Sequence, residues 1–194
     1  MTEAVVPARP RSASSNGWWG MVGFVATEAT LFGVLLGTYF YLRVRAVHWP
    51  PPATPEPKVV LPLALAGILA ATSIPVFLGS RAATAGLARR AQAFFLIALV
   101  VQSAYFGIQV YGMASDLDKF TPQQNSYGSI YYTLLGADHA HVAVGILMSA
   151  WLVLRLVSGL TRYRLAAVRA IAFYWYAVSV IGAVVALCLT SAAL

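Results

Sequence analysis

Charged residues are scarce in this sequence. Asp, Glu, Lys and Arg make up 10% of its 194 residues, whereas apolar residues make up 60%. A soluble domain is about a quarter charged, so this composition excludes an ordinary soluble domain and predicts an integral membrane protein. The net charge of +7 does not indicate a nucleic-acid partner, because every basic residue lies in the N-terminal tail, in a predicted loop or near a helix end. Those positions are typical of membrane orientation and of contact with lipid headgroups.

Cysteine is almost absent as well. The sequence has one cysteine, Cys188, which excludes an intrachain disulfide and a zinc or iron–sulfur site built on cysteine pairs. It also lacks a phosphate-binding loop, a nucleotide fingerprint and a nucleophile-with-base motif. An internal repeat, which would favour an inverted-repeat transporter, is missing too. We expect no cleavable signal peptide, because the first apolar run is too long to be the core of one.

Long apolar segments are what the sequence has in abundance. Five of them are long enough to cross a membrane, and they cover residues 18–42, 59–80, 91–114, 129–156 and 170–194. Transmembrane strands would be about ten residues long and would alternate polar with apolar residues, so helices are expected. The predicted fold is therefore an all-α bundle of five transmembrane helices. This membrane domain covers residues 18–194, and residues 1–17 are expected to form a mobile cytoplasmic tail.

The basic residues predict the orientation of the bundle. With the N-terminus inside, nine lysine and arginine residues fall on the inner side and four on the outer side. The outer four are Arg43, Arg45, Lys58 and Lys119. Because basic residues concentrate on the cytoplasmic side of membrane proteins, we predict an inside N-terminus and an outside C-terminus.

Two acids lie at membrane depth, and Glu28 is the more central. At 1.5 Å per residue it lies roughly 15 Å beyond Trp18, near the midplane. A carboxyl group at that depth is costly and requires a buried partner or a neutral, protonated form. Two interpretations stay open, a structural acid that bonds a neighbouring helix and a proton-exchanging site. On the same helix, Gly33 and Gly37 form a small-xxx-small pair, where another helix is predicted to pack closely.

The second acid, Asp138, is followed by His139 and His141 in the fourth segment. Asp138 and His141 share a helix face, so the two side chains can form a pair. The two histidines are about 200° apart on a helix, so a regular helix does not place both on one metal ion. A buried polar cluster and a catalytic or proton-related role are the alternatives here. In the third segment, Gln102 is expected to hydrogen-bond to another helix.

Several aromatic residues fall near the ends of the predicted segments, as they do in the interfacial belts of membrane proteins. They are Trp18, Trp19, Tyr39, Tyr41, Trp49, Tyr127, Tyr174 and Trp175. We predict that they anchor the helices at the membrane surface and hold no cofactor. No metal or cofactor ligand set is predicted in this chain.

A series of short motifs extends over most of the chain from Trp18 onward. They are Trp19-Gly20, Thr27-Glu28, Phe32-Gly33, Trp49-Pro50-Pro51, Leu61-Pro62-Leu63, Thr72-Ser73, Gln102, Tyr127-Gly128-Ser129, Gly136, His141-Val142, Gly145 and Tyr174-Trp175. In order and spacing they resemble subunit III of the haem–copper respiratory oxidases, in its five-helix form. The sequence departs from that pattern at Asp138, which stands in place of a histidine, and at Tyr105, Tyr176 and Ser179. These departures leave open whether the electron donor is cytochrome c or a quinol.

The resemblance implies an accessory subunit of a haem–copper terminal oxidase in aerobic electron transport. Such subunits bind no haem or copper, which belong to the catalytic subunit I, and subunit II is a further partner. They hold phospholipid in a cleft, stabilise the catalytic subunit and support proton uptake, and their buried glutamate, here Glu28, faces that region. The location implied is the plasma membrane of a prokaryote, with several spans.

Three other functions are alternatives at this point. The first is an accessory subunit of a nitric oxide reductase, which is related to the oxidases. The second is a stand-alone proton or solute transporter that uses Glu28 and Asp138. The third is a small membrane cytochrome with His139 or His141 as the haem ligand.

Overall fold

The computed structural model describes residues 16–52 and 54–193, and these form helices joined by short loops without a strand. The helices are α1 (Asn16–Arg45), α2 (Val60–Ala71), α3 (Ser73–Thr84), α4 (Ala88–Leu117), α5 (Ser126–Leu156) and α6 (Arg162–Thr190), followed by a 3₁₀ turn (Ser191–Ala193). Of the predicted mobile tail, residues 1–15 lie outside the described residues, and residues 16 and 17 belong to α1.

Five membrane-spanning elements result, as the sequence predicts. Helices α2 and α3 together make one span, and each of the other four helices makes another, all long and apolar enough to cross a bilayer. The all-α, five-span fold is thereby confirmed for the described residues, and the orientation in the membrane stays a prediction. Most helices extend a few residues beyond the apolar segments because backbone hydrogen bonding continues through polar residues at their ends.

The second span is interrupted at Thr72, between α2 and α3. Pro75 has no backbone N–H, so the carbonyl oxygen four residues earlier loses its helical partner. The Thr72 hydroxyl donates to the carbonyl oxygen of Leu69 at 2.6 Å, and the Thr72 N–H is shared between the carbonyl oxygens of Ile68 and Leu69. The chain therefore passes through the break with its polar groups largely satisfied.

Helices α5 and α6 form the centre of the bundle, and α1 lies at its edge. In the most apolar stretch of α6, 50% of the residues are buried within the chain. In the corresponding stretch of α1, only 6% are buried. Trp175 on α6 is fully buried and donates its indole N–H to Ser149 Oγ on α5 at 2.6 Å. Helix α1 packs on α5 and α6, whereas no contact joins it to α2, α3 or α4 in the described part of the chain.

One end of the bundle carries the two longer loops, and side-chain contacts fix them there. Arg43 at the end of α1 donates to Ser191 Oγ at 2.7 Å, which ties the C-terminal ends of α1 and α6 together. The Trp49 indole N–H donates to the Tyr39 hydroxyl at 3.1 Å. We call this end the loop end, because it carries residues 46–52, 54–59 and 118–125.

Candidate functional site

Glu28 on α1 is hydrogen-bonded to His141 on α5. Glu28 Oε2 lies 2.6 Å from His141 Nε2, and the two side chains expose 18% and 15% of their surfaces. The pair connects the edge helix to the central helices at membrane depth. The partner that a carboxyl group in this position requires is therefore supplied within the chain.

The other ring nitrogen of His141 determines where the protons of this pair lie. His141 Nδ1 is 2.6 Å from the carbonyl oxygen of Ala137, and because a carbonyl oxygen can only accept, Nδ1 must carry a hydrogen. In a neutral imidazole Nε2 then accepts, and Glu28 is the protonated donor. If the proton moves to Nε2, an imidazolium donates to a carboxylate. Both forms have zero net charge, so the pair holds one proton that can move between two residues without placing a net charge in the membrane.

Aromatic residues of α1 and α6 enclose His141. The ring of Phe32 meets the imidazole edge-on, with 5.2 Å between centroids. The Tyr174 hydroxyl donates to the backbone carbonyl oxygen of His141 at 2.8 Å, and Phe24 stacks on Tyr174 with 6.0 Å between centroids. These contacts fix the position of the α5 backbone that carries the histidine.

Four of the aromatic residues predicted to anchor the helices at the membrane surface are almost completely buried within the chain. They are Tyr39, Tyr127, Tyr174 and Trp175. For the last two, the reason is that α6 begins at Arg162 and not near residue 170. Tyr174 therefore lies roughly 18 Å along the helix, in the core of the bundle.

Asp138, the second acid at membrane depth, does not bond to His141 although the two share a helix face. The residue is only 4% exposed, and no donor in the described residues reaches Asp138 Oδ1. Its carboxyl group approaches α6 at Gly182, where an added Cβ would lie 3.2 Å from Oδ1. His141 thus reaches α1, and Asp138 reaches α6.

A cleft between α2, α4, α5 and α6 extends from the loop end to Asp138. Its empty volume, with the open mouth included, is about 960 Å³. At the mouth, Lys58 Nζ and Lys119 Nζ lie 3.0 and 3.3 Å from Asp116 Oδ1. The apolar part of the wall includes Leu61, Leu65, Ile108, Val185 and Leu189. We refer to it below as the Asp138 cleft.

Gln102 and His139 lie elsewhere in the core. Gln102 is fully buried, and its Nε2 lies 3.4 Å from Thr72 Oγ1, so it contacts the break in the second span. His139 donates from Nδ1 to the carbonyl oxygen of Leu135, and its ring lies 6.1 Å from that of Phe106 on α4. His139 and His141 thus face different helices, and no group of three or more His, Cys, Asp or Glu among the described residues is arranged to hold a metal ion.

Gly33 and Gly37 face away from the rest of the chain. A Cβ added to either would meet nothing within 4 Å in the described structure. The close helix packing predicted at these two residues is therefore not made by the described residues.

Sequence reasoning missed two residues of the site. Gly182 gives Asp138 room on α6, and the Tyr174 hydroxyl bonds to the backbone of His141. A glycine inside a helix usually has a packing reason, so Gly182 carried a weak signal. Tyr174 carried none, because a hydroxyl that bonds a backbone group has no sequence pattern of its own.

The fold and the site define a class before any comparison is made. The chain is an all-α protein with five spans long enough to cross a membrane, a partly buried Glu–His pair and no metal-ligand cluster among the described residues. The family model described as cytochrome c oxidase subunit III matches residues 3–190. The chain therefore belongs to the cytochrome c oxidase subunit III family, whose members are accessory subunits of haem–copper oxidases.

Individual relatives agree with this assignment. Cytochrome c oxidase subunit 3 of Bacillus subtilis (strain 168) is 25% identical over 186 residues, which cover 93% of this chain and 89% of that protein. Cytochrome c oxidase subunit 3 of Thermostichus vulcanus is 26% identical over 129 residues, and the match spans 66% of this chain and 63% of the relative. A probable quinol oxidase subunit 3 of Staphylococcus haemolyticus (strain JCSC1435) is 31% identical over 94 residues, or 45% of each chain.

Proposed function

We propose that this chain is the cofactor-free accessory subunit of a haem–copper terminal oxidase in aerobic electron transport, and that it stabilises the catalytic subunit. The observation that carries the proposal is the family match over residues 3–190. The expected location is the plasma membrane of a prokaryote, with the N-terminus inside, which agrees with the distribution of basic residues. The partners are the catalytic subunit I and subunit II.

The surface of α1 supports the partner proposal. Only 6% of the residues in the most apolar stretch of this helix are fully buried within the chain, so a large part of its membrane-facing surface is available to another protein or to lipid. Gly33 and Gly37 lie on that surface, and glycines spaced by four residues let two helices approach closely in a membrane. We infer that this part of α1 contacts the catalytic subunit.

Exposed apolar side chains on α6 support the proposal of bound phospholipid. Helices α1 and α2 both pack on α6, and they do not pack on each other within the described residues. Val180, Val184 and Leu187 of α6 are exposed, and their spacing places them on one face of the helix. An apolar strip of this kind fits an acyl chain, and we assign the structural lipid to it.

The Glu28–His141 pair is the part of the chain that we assign to proton uptake. It holds one movable proton without net charge, and its Glu28 lies on α1, the helix that we assign to the partner contact. Asp138 approaches α6 at Gly182, and no hydrogen bond among the described residues joins it to the pair. This arrangement gives no support to a stand-alone transporter that uses both.

Mild purification of the tagged chain from its native host tests the proposal. We expect a larger hydrophobic subunit and haem absorbance to accompany it, and the haem types and the reaction catalysed would separate an oxidase from a nitric oxide reductase. The same tag on an unrelated multi-span protein of that membrane is the control. A colourless, monodisperse preparation with no large partner would contradict the proposal.

A further inference from the structure

The Asp138 cleft contains a carboxyl group that no described part of the protein satisfies. Buried polar groups are nearly always hydrogen-bonded, and an unpartnered buried acceptor costs about 1–3 kcal/mol. Asp138 Oδ1 has no protein donor within the described residues, although the residue is 96% buried. The cleft that it lines is open at the loop end. Oδ1 itself is closed to solvent, so a donor that is not part of the protein can meet the carboxyl group only where Asp138 lines the cleft.

The geometry of α4 and α5 places a second polar side chain at the depth of Asp138. The two antiparallel helices are joined at the mouth, where the Tyr131 hydroxyl donates to Asp116 Oδ2 at 3.1 Å. Gln109 precedes Asp116 by seven residues and Asp138 follows Tyr131 by seven, so both lie roughly 10 Å deeper than this bond. Both line the cleft. Polar groups are thus present at its mouth and at its buried end.

The chemistry of these groups selects the occupant. Gln109 uses Nε2 to donate to the Tyr105 hydroxyl at 2.8 Å, which leaves its Oε1 as a second acceptor on a residue that lines the cleft. An acyl chain would fill the apolar wall and donate to neither. Water donates to both, and a cleft that is open at one end and has polar groups along its wall can admit it.

We propose that water enters the cleft from the end marked by Lys58, Asp116 and Lys119, and that Asp138 is a proton-exchanging acid bonded to this water. A proton passes from the carboxyl group to water, which leaves a carboxylate and a hydronium ion, and the reverse step restores the acid. The titratable side chains along the cleft are Glu56, Lys58, Asp116, Lys119, Tyr127 and Tyr131, together with Tyr105 behind Gln109. Helices α2 and α6 add none to the lining, but His139 and His141 on α5 and Tyr174 on α6 lie close enough to interact with the charge of Asp138.

This site is separate from the Glu28–His141 pair and goes beyond the proposed accessory function. It lies between α2, α4, α5 and α6, whereas the pair lies between α1 and α5. Its tests require no turnover. They therefore keep their meaning if the oxidase assignment fails.

Cysteine accessibility tests whether water fills the cleft. In membranes of the native host that carry the full complex, with Cys188→Ser as background, Ile108→Cys and Val110→Cys are treated with a charged, membrane-impermeant methanethiosulfonate that reaches both faces. The two native side chains have similar exposure, 48% and 42%, but only Ile108 lines the cleft, and it lies deeper from the loop end. We expect Ile108→Cys to react about tenfold faster, because only a hydrated thiol forms the reactive thiolate.

Equal or slower labelling of Ile108→Cys would overturn the proposal and indicate a cleft filled by an acyl chain. Gly112→Cys is the second probe of the same wall, since a Cβ there meets nothing within 4 Å. Gly112→Cys should also react faster than Val110→Cys. It replaces Ile108→Cys as the probe if that variant does not accumulate in the membrane.

Infrared difference spectroscopy tests whether Asp138 exchanges protons. A step in bulk pH should change a protonated-carboxyl band that is lost in Asp138→Asn and kept in Asp116→Asn. The band should shift promptly after transfer to heavy water. If no pH-dependent band depends on Asp138, or if the band does not exchange, the assignment of a proton-exchanging acid is wrong.

Discussion

His141 determines how Glu28 can be protonated, because one of the two imidazole nitrogens already donates a hydrogen bond to the backbone. With Nδ1 donating to Ala137, the bond to Glu28 must contain the one remaining proton, whichever atom carries it. A structural role needs only that bond, whereas a proton-exchanging role also needs the proton to leave. A substitution that keeps the bond and removes the acid distinguishes the two roles.

Glu28→Gln is that substitution. The glutamine amide can donate to His141 Nε2 in the same geometry, so we expect unchanged assembly with the partner subunit and unchanged thermal stability. If the pair exchanges protons with the catalytic subunit, sustained turnover of the purified complex should decline earlier than in the wild type. Glu28→Ala leaves Nε2 unpartnered and should lower the free energy of unfolding by about 1–3 kcal/mol.

Thr27→Ala provides the matched control. Within the described residues, the Thr27 hydroxyl bonds only to the carbonyl oxygen of Phe24 on its own helix, at 2.7 Å. Its loss should therefore change neither the stability of the chain nor the sustained turnover of the complex. Turnover of Glu28→Gln that lasts as long as that of the wild type would show the pair to be structural.

How much of the site the sequence predicts depends on the residue. An acid at membrane depth requires a partner, and that requirement could be stated from the sequence alone. The identity of the partner could not, because Glu28 and His141 are 113 residues apart and the bond depends on the rotation of α1 about its axis. Helical spacing favours pairing of Asp138 with His141. It does not predict that Gly182 leaves space for the Asp138 carboxyl group on α6.

Single helices show where apolar length predicts structure well and where it does not. Each span is long and apolar enough to be recognised, so the five-span fold follows from the sequence. The beginning of α6 does not follow from the sequence. Arg162, Arg164 and Arg169 suggest a loop, although the helix continues through them. Long arginine side chains allow this, since their charged ends extend to water while the backbone stays helical. The resulting error moved Tyr174 and Trp175 to the membrane surface.

The contact between α5 and α6 depends on a glycine. A Cβ at Gly145 would lie 2.8 Å from Trp175 Cζ2, in a ring that is fully buried and bonded to Ser149. We expect Gly145→Ala to displace this ring and to lower the free energy of unfolding by about 1–3 kcal/mol. Thermal unfolding in detergent, followed by tryptophan fluorescence, measures the change.

Gly136→Ala on the same helix should not lower the free energy of unfolding. A Cβ there meets nothing within 4 Å, so the better helix propensity of alanine should leave stability unchanged or raise it by up to about 1 kcal/mol. Equal destabilisation by both alanines would mean that the α5–α6 contact is not as close as the structure has it.

At the scale of the whole chain, α1 is held by few contacts and buries little surface. Its ties to the other helices include the Glu28–His141 bond in the membrane, the Arg43–Ser191 bond at the loop end and the Trp18–Phe173 ring contact, 5.1 Å between centroids, at the other end. A helix attached at three levels and otherwise exposed is well suited to lie between this chain and a partner. The family assignment indicates that the partner belongs to an oxidase complex.

Bulky side chains on the free face of α1 should separate the chain from that partner. Gly33→Leu and Gly37→Leu add volume where no described residue lies within 4 Å, and leucine is the better helix former, so the chain itself should fold and insert normally. We expect the haem-bearing subunit to be lost from the preparation, because two helices that meet at glycine cannot approach as closely over leucine. The haem-to-tag ratio after mild purification measures this.

Gly107→Leu on α4 is the control, since Gly107 is also exposed and also has nothing within 4 Å of an added Cβ. Loss of haem with the α1 variants alone would locate the subunit contact on that helix. Equal loss with Gly107→Leu would mean that any added bulk disturbs assembly. Full retention of haem with all three variants would show that α1 is not part of the interface. The Glu28–His141 edge of the chain would then face lipid, and no proton can be taken up from lipid.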